Sequence, residues 1–218
     1  MPMKLSEKEL QDLAAQLRCP EGDEGREVSE MMNVVNGNMI QKAIESLQLK
    51  DNSIVLEIGP GNGSHAAHLI NSASNILYHG IDISETMITE ATKLNQGLNA
   101  VFKLTDGKSI PFDSVHFDAI VTTNTIYFWD NPQAYAKEIA RVLKPGGTLC
   151  IGFIPESTMQ HIPFAKYGFT QYNISTVTNL LNAAGIHVTS AVTDREYVTS
   201  NSGGQIEREF VILTAIKI

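Results

Sequence analysis

From residue 6 onward, the apolar positions Leu10, Leu13, Ala14 and Leu17 recur at helical spacing, and Ser6-Glu7-Lys8-Glu9 before them is a capping box. A short helix is therefore expected, ended by Cys19-Pro20-Glu21-Gly22. The next apolar stretch, Val28 to Leu47, is interrupted by Asn33, Asn36, Gly37 and Asn38, which predicts two helices with Asn38 capping the second. From Ser53 the pattern changes to short, unbroken apolar runs separated by helical stretches. The runs near 53–58, 76–82, 99–105, 117–123 and 148–154 predict strands of a parallel sheet covered on both faces. Ser84 caps a helix carrying Met87, Ile88, Ala91 and Leu94, and Asn131-Pro132 starts one that runs to Leu143 and stops at Lys144-Pro145-Gly146-Gly147. Ser175 is expected to open the last helix, with Val177, Leu180, Leu181 and Ala184 along it and Gly185 at its end. His187–Thr193 and Arg208–Ile218, around Asn201-Ser202-Gly203-Gly204, read as an antiparallel hairpin.

One strand–helix junction carries chemistry. Ile54-Val55-Leu56-Glu57-Ile58 runs into Gly59-Pro60-Gly61-Asn62-Gly63, and Asp82 follows Gly63 by 82 − 63 = 19 residues, within Ile81-Asp82-Ile83. Glycines at such a place let the backbone turn sharply and bring its N–H groups up to a ligand at the start of a helix. An acid at the end of the next strand suits a ribose, because an ionised carboxylate accepts hydrogen bonds and gives none. The dinucleotide fingerprint wants its third glycine at position 64, where Ser64 stands, so a nicotinamide cofactor is disfavoured. Glu57 interrupts an apolar strand, where burial of an unpaired carboxylate is costly. Asp118, at the start of a strand, reads as a residue that fixes a turn.

Composition narrows the classes. At 218 residues, 43% hydrophobic and 18% charged, the chain is an ordinary globular protein of one domain, or one domain with an appendage. The formal charge is 16 − 24 = −8, and no window gathers the basic residues, so nucleic acid is not an expected partner. No run of about 18 apolar residues and no charged-then-apolar leader is visible, so no membrane association and a cytoplasmic location are expected. Cys19 and Cys150 are the only cysteines, and His65 and His68 lack a third ligand, so neither a disulfide framework nor a metal site is expected. Nothing in the residues speaks to oligomeric state.

Taken together, four spaced motifs resemble those of the class I S-adenosylmethionine-dependent methyltransferases, within the small-molecule group that includes the quinone C-methyltransferases. They are Leu56–Gly63; Gly80-Ile81-Asp82-Ile83-Ser84; Thr105-Asp106-Gly107 with Ile110-Pro111-Phe112 and Phe117–Val121; and Leu143–Gly147 before a strand. The likeness runs over roughly residues 50–218. It implies an α/β, Rossmann-like doubly wound, mostly parallel seven-stranded sheet with a C-terminal antiparallel hairpin and an N-terminal helical appendage. Residues 1–48 would form a helical cap and 49–218 the cofactor-binding domain. It also implies S-adenosylmethionine as cofactor and a small molecule as methyl acceptor.

Carried onto this sequence, the resemblance gives Gly59, Gly61 and Gly63 the loop around the methionine portion of the cofactor, and Glu57 its ammonium, directly or through water. Asp82 would take both ribose hydroxyls, and Ile83 would pack on adenine. Asp106 would accept from the adenine amino group, with the backbone around Gly107 at the ring edge. Thr123 or Asn124 would face the transferring methyl. Tyr127, Phe128 and Trp129 supply candidate aromatic walls, and His161, Tyr127 or Tyr172 a general base if the acceptor needs one. Residues 20–40, with Met31, Met32 and Met39, are expected to act as a lid. Two alternatives stay open: a protein that binds the cofactor without catalysis, and an NAD-dependent oxidoreductase.

Overall fold

The computed structural model describes residues 5–199 and 204–218, so Asn201, Ser202 and Gly203 of the expected hairpin turn lie outside the described residues. Helix α1 (Glu7–Arg18) begins at Ser6 with both halves of the capping box formed. Helix α2 (Gly22–Ser46) is one continuous element, and this corrects the expected break at 33–38. Asn and Gly weaken helices because polar side chains compete for the backbone and glycine is too free. Here tertiary partners take those side chains instead: Asn33 donates to Asn62 Oδ1 at 3.0 Å and Asn38 to Glu196 Oε2 at 2.8 Å. Asn36 Oδ1 accepts from Arg208 Nη2 at 3.0 Å.

The alternation that follows is β1 (Ile54–Ile58), α3 (Ala66–Ile70), β2 (Leu77–Asp82), α4 (Glu85–Leu94), β3 (Ala100–Leu104) and β4 (Phe117–Thr123). Then come α5 (Pro132–Val142), β5 (Leu143–Phe153), the short α6 (Glu156–Met159), α7 (Ile174–Ala183), β6 (Ile186–Thr199) and β7 (Gln205–Lys217). Ser84 caps α4 and Asn131 caps α5, as expected, but Asn173 rather than Ser175 caps α7, its Oδ1 accepting from Thr176 N–H at 2.9 Å. Strand β5 starts five residues earlier than the apolar run at 148, taking in Lys144–Gly147. Asp118 explains the anchorage: it accepts from Ile54 N–H and from Lys144 Nζ, at 2.8 and 2.7 Å, and so ties the starts of β1, β4 and β5 together.

The sheet order is β3-β2-β1-β4-β5-β7-β6, with β1 to β5 parallel and β7 antiparallel to both its neighbours. The chain builds outward through β1, β2 and β3, then returns to lay β4 beside β1. Strand order reverses there, which opens a crevice at the carboxyl ends of β1 and β4. Buried side chains such as Leu56, Tyr78, Ile120, Phe153 and Phe210 fill the sheet faces. At the free edge β3 is mostly uncovered, with Val101 and Leu104 exposed, so the expectation of a strand covered on both faces fails there. Helix α2 crosses β4, β5 and β7, and Met39 is fully buried over the bare Cα of Gly152. The α1–α2 junction is fastened to the start of α4, since Ser84 Oγ donates to the Pro20 carbonyl and Gly22 N–H donates to Thr86 Oγ1.

Candidate functional site

A cavity lies in that crevice, floored by the loop after β1 and roofed by α1 and α2. Gly59 (φ +74°) can carry no side chain, because a Cβ would fall 2.4 Å from Thr125 Cγ2. At Gly61 (φ +56°) a Cβ would meet nothing nearer than Ser29 Oγ at 3.7 Å, so this backbone faces open space. Asp82, at the end of β2, sits beneath it. Its Oδ2 accepts from Gly61 N–H at 3.2 Å and its Oδ1 from Ser84 N–H at 2.9 Å, which leaves lone pairs on both oxygens. Burial raises its pKa to about 6 against the pull of those backbone donors.

Of the residues expected at the cofactor, Gly59, Gly61, Asp82, Ile83, Asp106, Gly107, Thr123 and Asn124 all line this cavity. Glu57 and Gly63 do not. Gly63 instead packs on α4, where a Cβ would lie 2.9 Å from Asn95 Nδ2 and 3.0 Å from Ala91 Cβ. Glu57 is 1% exposed and its carboxylate is taken up inside the protein: Oε1 pairs with His65 Nε2 at 2.6 Å and Oε2 accepts from Tyr78 OH at 2.7 Å. These partners stand against the direct one of the two routes expected for Glu57, the other being through water, and His65 is the member of this group that reaches the cavity wall. Asp106 is exposed and organises its own loop, its Oδ1 accepting from the N–H groups of Lys108 and Ser109 at 2.8 and 2.9 Å.

Past β4 the backbone turns at Asn124, which holds φ +56°, uncommon for a residue with a side chain. Tyr127 secures that turn by donating its hydroxyl proton to Asn124 Oδ1 at 2.9 Å while accepting from Ile154 N–H at 2.5 Å. Its burial pushes the phenol pKa upward. A phenol so bonded is a brace and not a base. The other two base candidates are also corrected: His161 is exposed and off the cavity wall, and Tyr172 is buried away from it, its pKa raised by burial. Sequence spacing placed both in the loop after β5 but gave no sign of the direction each side chain takes.

Much of the rest of the wall is apolar. Phe128 and Phe169 meet edge to face with centroids 4.6 Å apart, Phe164 stands 5.6 Å from Phe169, and Met32, Ile40, Met159 and Ile162 continue the surface. Arg208 of β7 was not foreseen. It lines the cavity at 8% exposure, paired with Glu196 at 2.7 Å and donating to the Val35 carbonyl at 2.7 Å. The only hint in the sequence is a charged residue where β7 becomes an apolar run. Among the described residues no group of three or more metal-binding side chains occurs, and no helix is long and apolar enough to cross a membrane.

Residues 56–151 match the family model described as Methyltransferase domain. The chain is 26% identical over 125 residues to an uncharacterized methyltransferase, YdaC, of Bacillus subtilis, covering 57% of this chain and 69% of that protein. It is 29% identical over 93 residues to the fatty-acid O-methyltransferase of Mycolicibacterium smegmatis, covering 43% of this chain but only 34% of that one. Among solved structures, a chain from the complex between the Haloferax volcanii Trm112 methyltransferase activator and a methyltransferase superposes with a TM-score of 0.77. That match is 18% identical and covers 94% of this chain and 97% of the other.

Proposed function

We propose, for a chain that belongs to the class I S-adenosylmethionine-dependent methyltransferases, that the cavity binds S-adenosylmethionine and passes its methyl group to a small apolar molecule. The observation that carries this reading is Asp82, a buried carboxylate beside an uncovered glycine loop, with lone pairs left on both oxygens. Those lone pairs suit the two hydroxyls of a ribose, and the open face of Gly61 suits close approach by the methionine portion. Ile83 would pack on adenine, with Asp106 and Gly107 at its edge, and Thr123 and Asn124 would face the methyl.

When bound, the cofactor supplies a methyl carbon on a sulfonium, which the acceptor's nucleophile takes in line while sulfur keeps the bonding pair. The protein's part is to position and to keep water out. Phe128, Phe164 and Phe169 form a dry wall for the acceptor, and the Tyr127 brace holds the Asn124 turn. Of the three bases expected, Tyr127 is bonded on both sides and His161 and Tyr172 stand off the wall, so the acceptor is expected to arrive with its nucleophile ready. The cytoplasm as its compartment is supported by two free thiols, Cys19 and Cys150, which suit a reducing environment.

Titration calorimetry with S-adenosylhomocysteine and with NAD tests the reading. Binding of the first and not the second is expected. Loss of no affinity in Asp82→Ala would remove Asp82 from the ribose and with it the basis of the proposal.

A further inference from the structure

Arg208 is the cavity's unexplained cation. Its Nε donates to Glu196 Oε1 at 2.8 Å, and its Nη2 donates to the Val35 carbonyl and Asn36 Oδ1 at 2.7 and 3.0 Å. Nη1, which carries two N–H groups, has no hydrogen-bond partner among the described residues. The other arginine on the wall, Arg18, is half exposed and held by Asp130 at 2.7 Å. A guanidinium with open donors on an aromatic-walled cavity suits an oxygen from the ligand, since a charge-assisted hydrogen bond is among the stronger ones.

A second open donor lines the same cavity. Asn124 Oδ1 accepts from Tyr127, and its Nδ2, on the cavity wall, has no partner among the described residues. Tyr127 links the two, for the charge of Arg208 acts on its hydroxyl and opposes the upward push of burial. The acceptor end of the cavity therefore offers donors and apolar walls, and an oxyanion with an apolar body meets both conditions.

We propose that the methyl acceptor is an apolar carboxylic acid, bound as its carboxylate by Arg208 Nη1 and Asn124 Nδ2 and converted to its methyl ester. This rests on the methyl-transfer reading above. In the step, a carboxylate oxygen forms the new bond to the methyl carbon, the carbon–sulfur bond breaks and its pair stays on sulfur. The anion and the sulfonium are both neutralised, and no proton is released. That balance needs no general base.

The test uses the full chain with S-adenosylmethionine bearing a deuterated methyl group. Dodecanoate, hexadecanoate and 4-phenylbutyrate are offered beside dodecan-1-ol, dodecylamine and dodecanamide, and products are read by mass spectrometry. Labelled methyl esters of the acids, with no product from the other three, are expected. Arg208→Gln should lower kcat/KM for the acids at least tenfold, chiefly through KM, while S-adenosylhomocysteine binds as before, and Arg208→Lys should recover part of the loss. Because Arg208 also pins α2, the acid-against-amide comparison on the unaltered protein stands independently of any folding defect. If S-adenosylhomocysteine binds but no acid is esterified, or the amine or alcohol is methylated instead, the carboxylate proposal fails and the methyl-transfer reading survives. If S-adenosylhomocysteine does not bind, both fail.

Discussion

Glu57 and His65 form a buried pair, Oε1 to Nε2 at 2.6 Å, with Glu57 almost wholly removed from solvent and the His65 side chain 14% exposed. The strand that carries Glu57 and the loop that ends at His65 enclose the glycines, so the pair closes the loop like a clasp. Burial opposes protonation of His65, but the charge of Glu57 and the hydrogen bond outweigh it and leave the pKa raised.

His65→Ala leaves Glu57 Oε1 without its partner, and a loss of about 3–5 kcal/mol is expected from a broken buried pair. A histidine whose folded pKa is raised contributes stability that is complete below its unfolded value of about 6.5 and is lost as pH rises through the folded value. The stability gap between the two proteins in urea should thus widen toward pH 6 and narrow in alkali. A gap that does not change with pH would remove the charged pair from the account.

With Asp82 as the proposed ribose ligand, cofactor binding is expected to depend on pH. With a folded pKa of about 6, set chiefly by burial, the carboxylate protonates on mild acidification and loses acceptor capacity. Affinity for S-adenosylhomocysteine should fall about tenfold per pH unit below 6, and Asp82→Asn should bind weakly with that dependence gone. The stability sign is opposite to that of a salt-bridged acid: a raised carboxylate pKa destabilises the ligand-free fold above about 6 and is relieved as pH falls toward 3.8. Calorimetry between pH 5 and 8 reads the affinity slope.

Two alanine substitutions in one loop should separate folding from binding. Gly59→Ala puts a Cβ 2.4 Å from Thr125 Cγ2 at φ +74°, so thermal stability should drop sharply. Gly61→Ala points its Cβ into the cavity, so about 1–2 kcal/mol of backbone strain is the main folding penalty. Its S-adenosylhomocysteine affinity should nevertheless fall at least tenfold. Equal damage to folding in both would contradict the open face assigned to Gly61.

Hydrogen exchange should report on α2. Its middle is held by Arg208 on the Val35 carbonyl and by Asn38 on Glu196, and its Met39 is fully buried. Amides of 35–46 should exchange slowly with or without S-adenosylhomocysteine, and a ligand response, if a lid closes, should fall on α1 and the Cys19–Gly22 junction. Fast exchange across 33–38 that slows on binding would restore the hinge expected there.

The positions of the five parallel strands, the glycine loop and Asp82 were legible because each rests on local pattern: apolar runs, clustered glycines and an acid at a strand end. Continuity of α2 was not, since the partners of its asparagines lie far along the chain, Asn38 to Glu196 being 158 residues apart. Arg208 escaped for the same reason, 172 residues from Asn36. His161 and Tyr172 show the limit from the other side. Position in a loop predicts proximity, but only the packed structure says that Tyr172 turns inward to the core and His161 outward to water.

The reversal of strand order between β1 and β4 divides labour along the chain. The residues proposed for the methyl donor run from Gly59 to Asn124, while the aromatic wall and Arg208 come later, from Phe128 onward. Acceptor preference can therefore drift by substitution in the later segments without disturbing the nucleoside grip. Transplanting a relative's Phe164–Phe169 loop and β6–β7 hairpin is thus a rational route to a new acceptor on an unaltered donor site.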